Sequence, residues 1–256
     1  MGIDGLVLVG AGLLGLCLGS FLNVCILRLP NEQSLIRPPS SCPKCGRLIA
    51  WRDNVPVVSW LLLKGRCRGC RTPISIQYPI IEAAVGLLWI GAVLMYGATA
   101  QALSAGVLGT ILLGIAVTDA RHFLIPDEYT WGGLVLGLAL SLSGGAPGFL
   151  RAVVGAAVGF GLLYAVAQAG RWVFKEEAMG GGDIKMMAMV GSFVGWKGVL
   201  LTLLLGALLG SLVFLPLSFK RKRLVPFGVF LAIGAAVTFV FGDAIVQWYL
   251  QFLHNS

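Results

Sequence analysis

Long unbroken apolar runs, with no two-residue alternation, organise this chain. Residues 3–29, 78–97, 101–118, 129–143, 149–170, 184–196, 198–217 and 225–252 are built from Leu, Ala, Val, Ile and Gly, parted by Gly/Ser/Pro-rich or charged breaks. About 20 such residues cross a bilayer as a helix, whereas a barrel strand would alternate. The pattern therefore predicts an all-α polytopic membrane protein with about eight transmembrane helices. Only one long stretch is polar, residues 30–77, which forms a small loop domain between helices 1 and 2. The expected organisation is a first transmembrane helix over 1–29, a loop domain over 30–77 and a membrane domain over 78–256.

Composition agrees with that solvent: 57% of the 256 residues are hydrophobic and 12% charged, with a mean hydropathy of +0.89. The net charge of +8 is spread between spans without interleaved aromatics, which reads as a topology signal and not as a nucleic-acid surface. Asp4 opens the first span and Arg28 closes it, so the N-terminus is expected outside and the loop, with its eight bases from Arg37 to Arg71, in the cytoplasm. Threading onward places Lys220-Arg221-Lys222-Arg223 on the cytoplasmic side as well, and leaves only Arg151 and Lys197 of 19 bases near the outer face. The first span has no basic n-region or small-residue cleavage site, so it is expected to stay as a helix and not be removed as a leader. Within it Gly10, Gly12 and Gly15 fit G-x-G-x-x-G, but no strand precedes them, and close helix packing accounts for them better than a dinucleotide.

The loop carries Cys42-Pro43-Lys44-Cys45 and Cys67-Arg68-Gly69-Cys70, two C-x-x-C pairs with 21 residues between them. Two knuckles at this spacing suit a tetrahedral four-cysteine zinc site; disulfides are the competing reading, which a reducing compartment disfavours. With four protein ligands no position is open to substrate, so the zinc would be structural. Cys17 and Cys25 lie in the first span as small packing residues.

Of eleven Asp and Glu, three touch predicted spans: Glu82, Asp119 and Asp183. A carboxylate at membrane depth is costly and marks a pathway or reaction centre. Asp119 closes the third span and Asp183 opens the sixth behind Gly180-Gly181-Gly182, so both approach from the same face. Two carboxyls in one poorly hydrated pocket share a proton, one acting as base and one as acid, which is what peptide hydrolysis by water requires. The macrodipole assigns the negative charge to Asp183, at a helix N-terminus, before Asp119, at a helix C-terminus. The alternative for Asp119 is an interfacial acid paired with Arg121 or Lys185. Glu82 is either a paired structural acid or part of a second site.

The G-x-G-D of Gly180, Gly182 and Asp183 with Ile184-Lys185, and Asp119 followed by Ile125-Pro126-Asp127, resemble the bacterial type IV prepilin peptidases. The resemblance continues through Gly19-Ser20-Phe21-Leu22-Asn23, Pro38-Pro39-Ser40-Ser41-Cys42, Tyr78-Pro79-Ile80-Ile81-Glu82 and Pro226-Phe227-Gly228. G-x-G-D alone is shared with presenilin-like proteases; the combination is specific. The sequence departs from the pattern at Gln77, where arginine is common, and at Val229, where a second proline is common.

The resemblance implies a bifunctional aspartic endopeptidase of the bacterial inner membrane. It would cut the leader from type IV prepilins or type II secretion pseudopilins on the cytoplasmic side and then methylate the new N-terminal amine with S-adenosylmethionine. Asp119 and Asp183 would be the catalytic pair, supported by Gly180, Gly182 and Lys185, with zinc on Cys42, Cys45, Cys67 and Cys70 in the loop associated with methylation. No soluble-type methyltransferase motif is present; the methyl-donor site is unplaced, and Glu82 is its one weak candidate. Asp127, Glu128, Glu176 and Glu177 are the acids expected to bind a basic leader. Gly155 with Gly159 and Gly206 with Gly210 form small-residue faces through which a homodimer is possible. The rival reading is an ion- or proton-coupled transporter using the two membrane aspartates.

Overall fold

A computed structural model describes residues 4–175, 179–218 and 226–254. Among them the chain is helical, with no strand beyond two isolated bridges in the loop. It divides into two compact units, Met1–Thr110 and Ile111–Ser256.

In the first unit α1 (Gly5–Arg28) packs along α3 (Gln77–Tyr96). Both are apolar all round, so propensity does not choose the contact face; small residues do. A Cβ on Gly15 would lie 2.8 Å from the Val85 carbonyl oxygen, and one on Gly19 2.7 Å from Glu82 Cα. Helix packing in lipid gains from such close approach; of the G-x-G-x-x-G stretch Gly12 and Gly15 serve it, while nothing lies within 4 Å of the Cβ position of Gly10. Asn23, one turn beyond Gly19, is buried and donates through Nδ2 to the carbonyls of Gly19 at 3.3 Å and Tyr78 at 3.1 Å, tying the two helices. The loop between them contains one short helix, α2 (Val58–Leu62).

α4 (Ala100–His122) runs into the second unit and ends where Phe123 turns left-handed (φ 53), its N–H bonding the Asp119 carbonyl at 2.9 Å. Pro126, extended at ψ 140, opens α5 (Asp127–Ser141) as expected of a residue with no N–H to leave unpaired. α6 (Gly145–Phe174), α7 (Gly181–Ser218) and α8 (Phe227–His254) follow.

Six helical stretches among the described residues are long and apolar enough to span a membrane, which makes this a multi-pass membrane protein. The expected count was about eight. Two of the six are composite: 127–173 contains α5 and α6, separated by a turn at Gly145 (φ 65), and α7 breaks at Gly195 (φ 71, ψ 177). The eight apolar runs are thus matched by eight helical segments: α1, α3, α4, α5, α6, the two halves of α7, and α8. At the break Arg151 Nη2 donates to the Val194 carbonyl at 3.3 Å, covering an acceptor that the interrupted helix leaves open.

The small-residue faces offered for a homodimer are used inside the chain. Cβ atoms at Gly155 and Gly159 would strike the backbone of Gly191 and Met187 in α7; Gly206 and Gly210 lie against Leu231 and Phe230 of α8. Any homodimer would need another surface.

Candidate active site and metal centre

Asp119 is buried on the last turn of α4, and Asp183 is half-buried in the first turn of α7. They lie close enough for the charge of one to act on the other. Gly180 faces the Asp183 carboxylate, with its Cβ position 3.6 Å from Oδ2, and nothing lies within 4 Å of the Cβ position of Gly181. This leaves open backbone immediately before the acid. Gly182 differs: its Cβ position is 3.0 Å from Ile125 Cβ, so the glycine there serves packing.

The third wall comes from a stretch 110 residues beyond Asp119. Val229 N–H, which also faces the Pro226 carbonyl at 3.3 Å, donates to Asp119 Oδ2 at 3.2 Å, and Gly228 N–H points at the same carboxylate. A Cβ on Gly228 would sit 2.9 Å from Oδ2 and 2.8 Å from Ile125 Cδ1, so only glycine fits. Asp119 therefore ends α4 and also caps the N-terminus of α8. The macrodipole argument that separated the two acids considered α4 alone; with α8 included, both acids face a helix N-terminus, and it no longer ranks them.

The departure at Val229 also contacts the acid, because proline there would have no N–H to give. Val229→Pro is expected to fold, since the first helical turn tolerates proline, and to cleave within about threefold of wild type, because the Gly228 N–H still serves the carboxylate and proline is common here in the peptidases the sequence resembles; a loss of about tenfold or more, the scale of one hydrogen bond to a charged group, would show that the Val229 N–H is needed. Val229→Ala, which keeps the donor, should stay near wild type in the same assay.

Lys185 does not reach Asp119. Its Nζ lies 2.7 and 2.6 Å from the two carboxylate oxygens of Asp127, clamping the start of α5 to the start of α7. Asp127 is thereby neutralised by the chain's own lysine, which weakens its case as a leader-binding acid. Glu128 is exposed. Glu176, Glu177 and the run Lys220-Arg221-Lys222-Arg223 lie outside the described residues.

In the first unit the four loop cysteines converge, their sulfurs all within 4.8 Å of one another. Cys42 Sγ and Cys70 Sγ are 3.8 Å apart. Ligands about 2.3 Å from a tetrahedral zinc lie about 3.8 Å from each other, whereas a disulfide needs about 2.05 Å. Backbone N–H groups of Cys45 and Lys44 lower the Cys42 thiol to about 6. Cys70, despite the Thr72 N–H that favours its thiolate, is pushed up to about 11 by desolvation and by the thiols of Cys45, Cys42 and Cys67. Four thiolates this close repel one another, and a dication relieves the repulsion. The cluster fits a metal.

Glu82 is 7% exposed. Its Oε2 accepts the N–H of Val57 at 2.7 Å, and Val57 is held at φ 60, a conformation that β-branched residues rarely adopt. Glu82 ties the loop to α3.

Comparison with known proteins bears on both halves. Residues 13–96 match the bacterial peptidase A24 N-terminal domain, and residues 106–215 match the type IV leader peptidase family. A prepilin leader peptidase/N-methyltransferase of Aeromonas hydrophila is 34% identical over 93% of this chain and 92% of its own length. The chain belongs to the type IV leader peptidase family. Relatives of the same name include one from Xanthomonas campestris pv. campestris, 36% identical over 93% of each chain. Another, from Myxococcus xanthus, is 43% identical over 83% of this chain and 64% of its own length. No solved structure matches. Family membership supports the peptidase with methyltransferase activity and gives no support to the transporter.

Proposed function

We propose that this leader peptidase cleaves type IV prepilins or type II secretion pseudopilins with Asp119 and Asp183 as its catalytic pair. The observation that carries the reading is the approach of these two carboxyls from α4 and α7, beside open glycine backbone, in a chain of this family. One carboxyl, ionised, takes a proton from water as the oxygen adds to the scissile carbonyl carbon. The other, protonated, donates to the carbonyl oxygen. When the carbon–nitrogen bond breaks, the proton taken from water passes to the leaving amine, the second carboxylate recovers its own from a hydroxyl of the tetrahedral diol as the product carboxyl forms, and the pair again holds one proton between them. The backbone at Gly180 and Gly181 gives an extended substrate strand room to lie against the site. Lys185 and Asp127 hold the two helix starts in register.

The enzyme sits in the bacterial inner membrane with its N-terminus outside and its site facing the cytoplasm. The bases support this: the loop and most turns on its side carry them. Arg151 and Lys197, which fall opposite, each have a local contact, the Val194 carbonyl and the Trp196 ring 5.7 Å away.

Methylation belongs to the loop. Cys42, Cys45, Cys67 and Cys70 would hold zinc, whose bonds close both knuckles. S-adenosylmethionine would supply the methyl group. We assign Glu82 a positioning role through Val57 in place of contact with the donor. Glu82→Ala is expected to leave cleavage within about twofold and to reduce methylation at least about tenfold, with the loss mainly in KM for the methyl donor and Glu82→Gln, which keeps an acceptor oxygen, recovering most of it. Equal loss of both activities would make Glu82 merely structural.

The test of the whole reading is incubation of the purified protein with a prepilin and S-adenosylmethionine, followed by mass spectrometry of the product's N-terminus. Leader removal with one added methyl is expected. An intact substrate would overturn the peptidase, and an unmethylated product the transferase.

A further inference from the structure

The two cysteine knuckles are near-repeats of one another. Cys42 N–H bonds the Arg47 carbonyl and Gly46 N–H the Cys42 carbonyl, both at 2.9 Å; Cys67 N–H bonds the Thr72 carbonyl at 2.9 Å and Arg71 N–H the Cys67 carbonyl at 3.0 Å. Each knuckle therefore turns left-handed after its second cysteine. In the first the residue is Gly46 (φ 70), and in the second it is Arg71 (φ 56). A side chain at such a φ costs energy that glycine avoids, and the chain's own first knuckle shows the cheaper solution. Lys64 is held left-handed too, at φ 51.

Both strained cations line one cavity of about 500 Å³, with Arg66, Arg68, Leu62 and Leu63. Arg68 is engaged in a fork with Asp53, at 2.9 and 2.7 Å, which holds that carboxyl below its usual range. Lys64, Arg66 and Arg71 have no ion-pair partner among the described residues and are exposed. Three uncompensated cations around a hollow, two of them at strained positions, call for an anion. Leu62 of the lining and Leu61 next to it in α2 are 76% and 61% exposed, apolar side chains of the kind that seat at a bilayer interface. The loop is also tethered at both ends by membrane helices, α1 and α3, so lipid headgroups are always within its reach.

We propose that this cavity binds the phosphate of an anionic phospholipid headgroup, fixing the zinc loop on the membrane surface. The shared chemistry is a phosphate anion, and a free phosphate is the other source. Full-length, zinc-loaded protein in detergent is titrated with phosphatidylglycerol and, separately, phosphatidylcholine, and bound lipid is read by native mass spectrometry, with inorganic phosphate as competitor. Phosphatidylglycerol is expected to be retained over phosphatidylcholine. Combined Lys64→Gln, Arg66→Gln and Arg71→Gln should weaken it roughly a hundredfold, while Arg37→Gln with Lys44→Gln, bases of the same loop outside the cavity, should not. Displacement by millimolar inorganic phosphate would make the free anion the ligand and overturn the lipid assignment. Arg71→Gly separates binding from folding: it should raise the melting temperature by relieving φ and still weaken phosphatidylglycerol about fivefold. Equal retention of the two lipids, or full affinity in the triple variant or in Arg71→Gly, overturns the proposal.

Discussion

Asp119→Asn and Asp183→Asn are each expected to reduce prepilin cleavage by at least about a thousandfold, with the double variant no worse than either single one. The amide is nearly isosteric with the carboxyl but can neither accept the proton from water nor return one to the leaving amine, so the loss is of acid–base catalysis, on the order of 10²–10⁴ for each function. Non-additivity follows because the pair acts as a unit and half of it does nothing. Folding should survive. In Asp119→Asn the amide keeps an oxygen to accept the Val229 N–H that Asp119 accepts at 3.2 Å, and Asp183 is half-buried beside open glycine backbone. Helical content and melting temperature of the variants supply the control. A synthetic peptide that already begins at the mature N-terminus should still be methylated, because the loop lies in the other compact unit. If either single variant cleaves within about tenfold of wild type, the pair is wrong.

What could be read beforehand was the chemistry that spacing exposes. Two acids among apolar runs and two C-x-x-C pairs are unusual wherever they occur, because lipid penalises the first and the second commits four thiols to one place. Helix ends were also legible: Pro126 announced α5. The fine placement was hidden for a physical reason. Helices that are apolar on every side carry no periodic signal for their packed face, so neither the α8 cap on Asp119 nor the internal use of Gly155 and Gly159 could be located from spacing. Both depend on contacts across tens of residues. The break at Gly195 was legible, since the sequence parts the run 184–196 from 198–217 at Lys197, two residues beyond it. Lys185 entered the candidate site as part of the G-x-G-D motif, and its partner, Asp127, lies 58 residues away, a pairing that spacing could not locate.

Removal of the proposed zinc is expected to have the second large effect. Stripping zinc with a strong chelator, or replacing Cys42 or Cys67 with serine, is expected to unfold the loop and abolish methylation while the membrane helices keep their helical signal. The loop has little else to hold it: between residues 30 and 76 its regular structure amounts to α2, two short 3₁₀ turns and two isolated bridges. Its buried apolar side chains are few beside Ile36, Leu48, Trp51, Leu61, Leu62 and Ile76, all more than half exposed. Structural zinc contributes on the order of 10–16 kcal/mol in small metal-folded domains at neutral pH, more than such a loop gains from its own packing. The first sign should be proteolytic cutting between residues 37 and 71, rich in Lys and Arg, in stripped but not in zinc-loaded protein. Cleavage of prepilin tests how far the two activities are separable: if the peptidase pair needs only its own compact unit, leader removal persists in stripped protein with an unmethylated product. A loop that resists protease equally with and without metal, in protein verified to contain no zinc, would show that the four sulfurs meet for another reason.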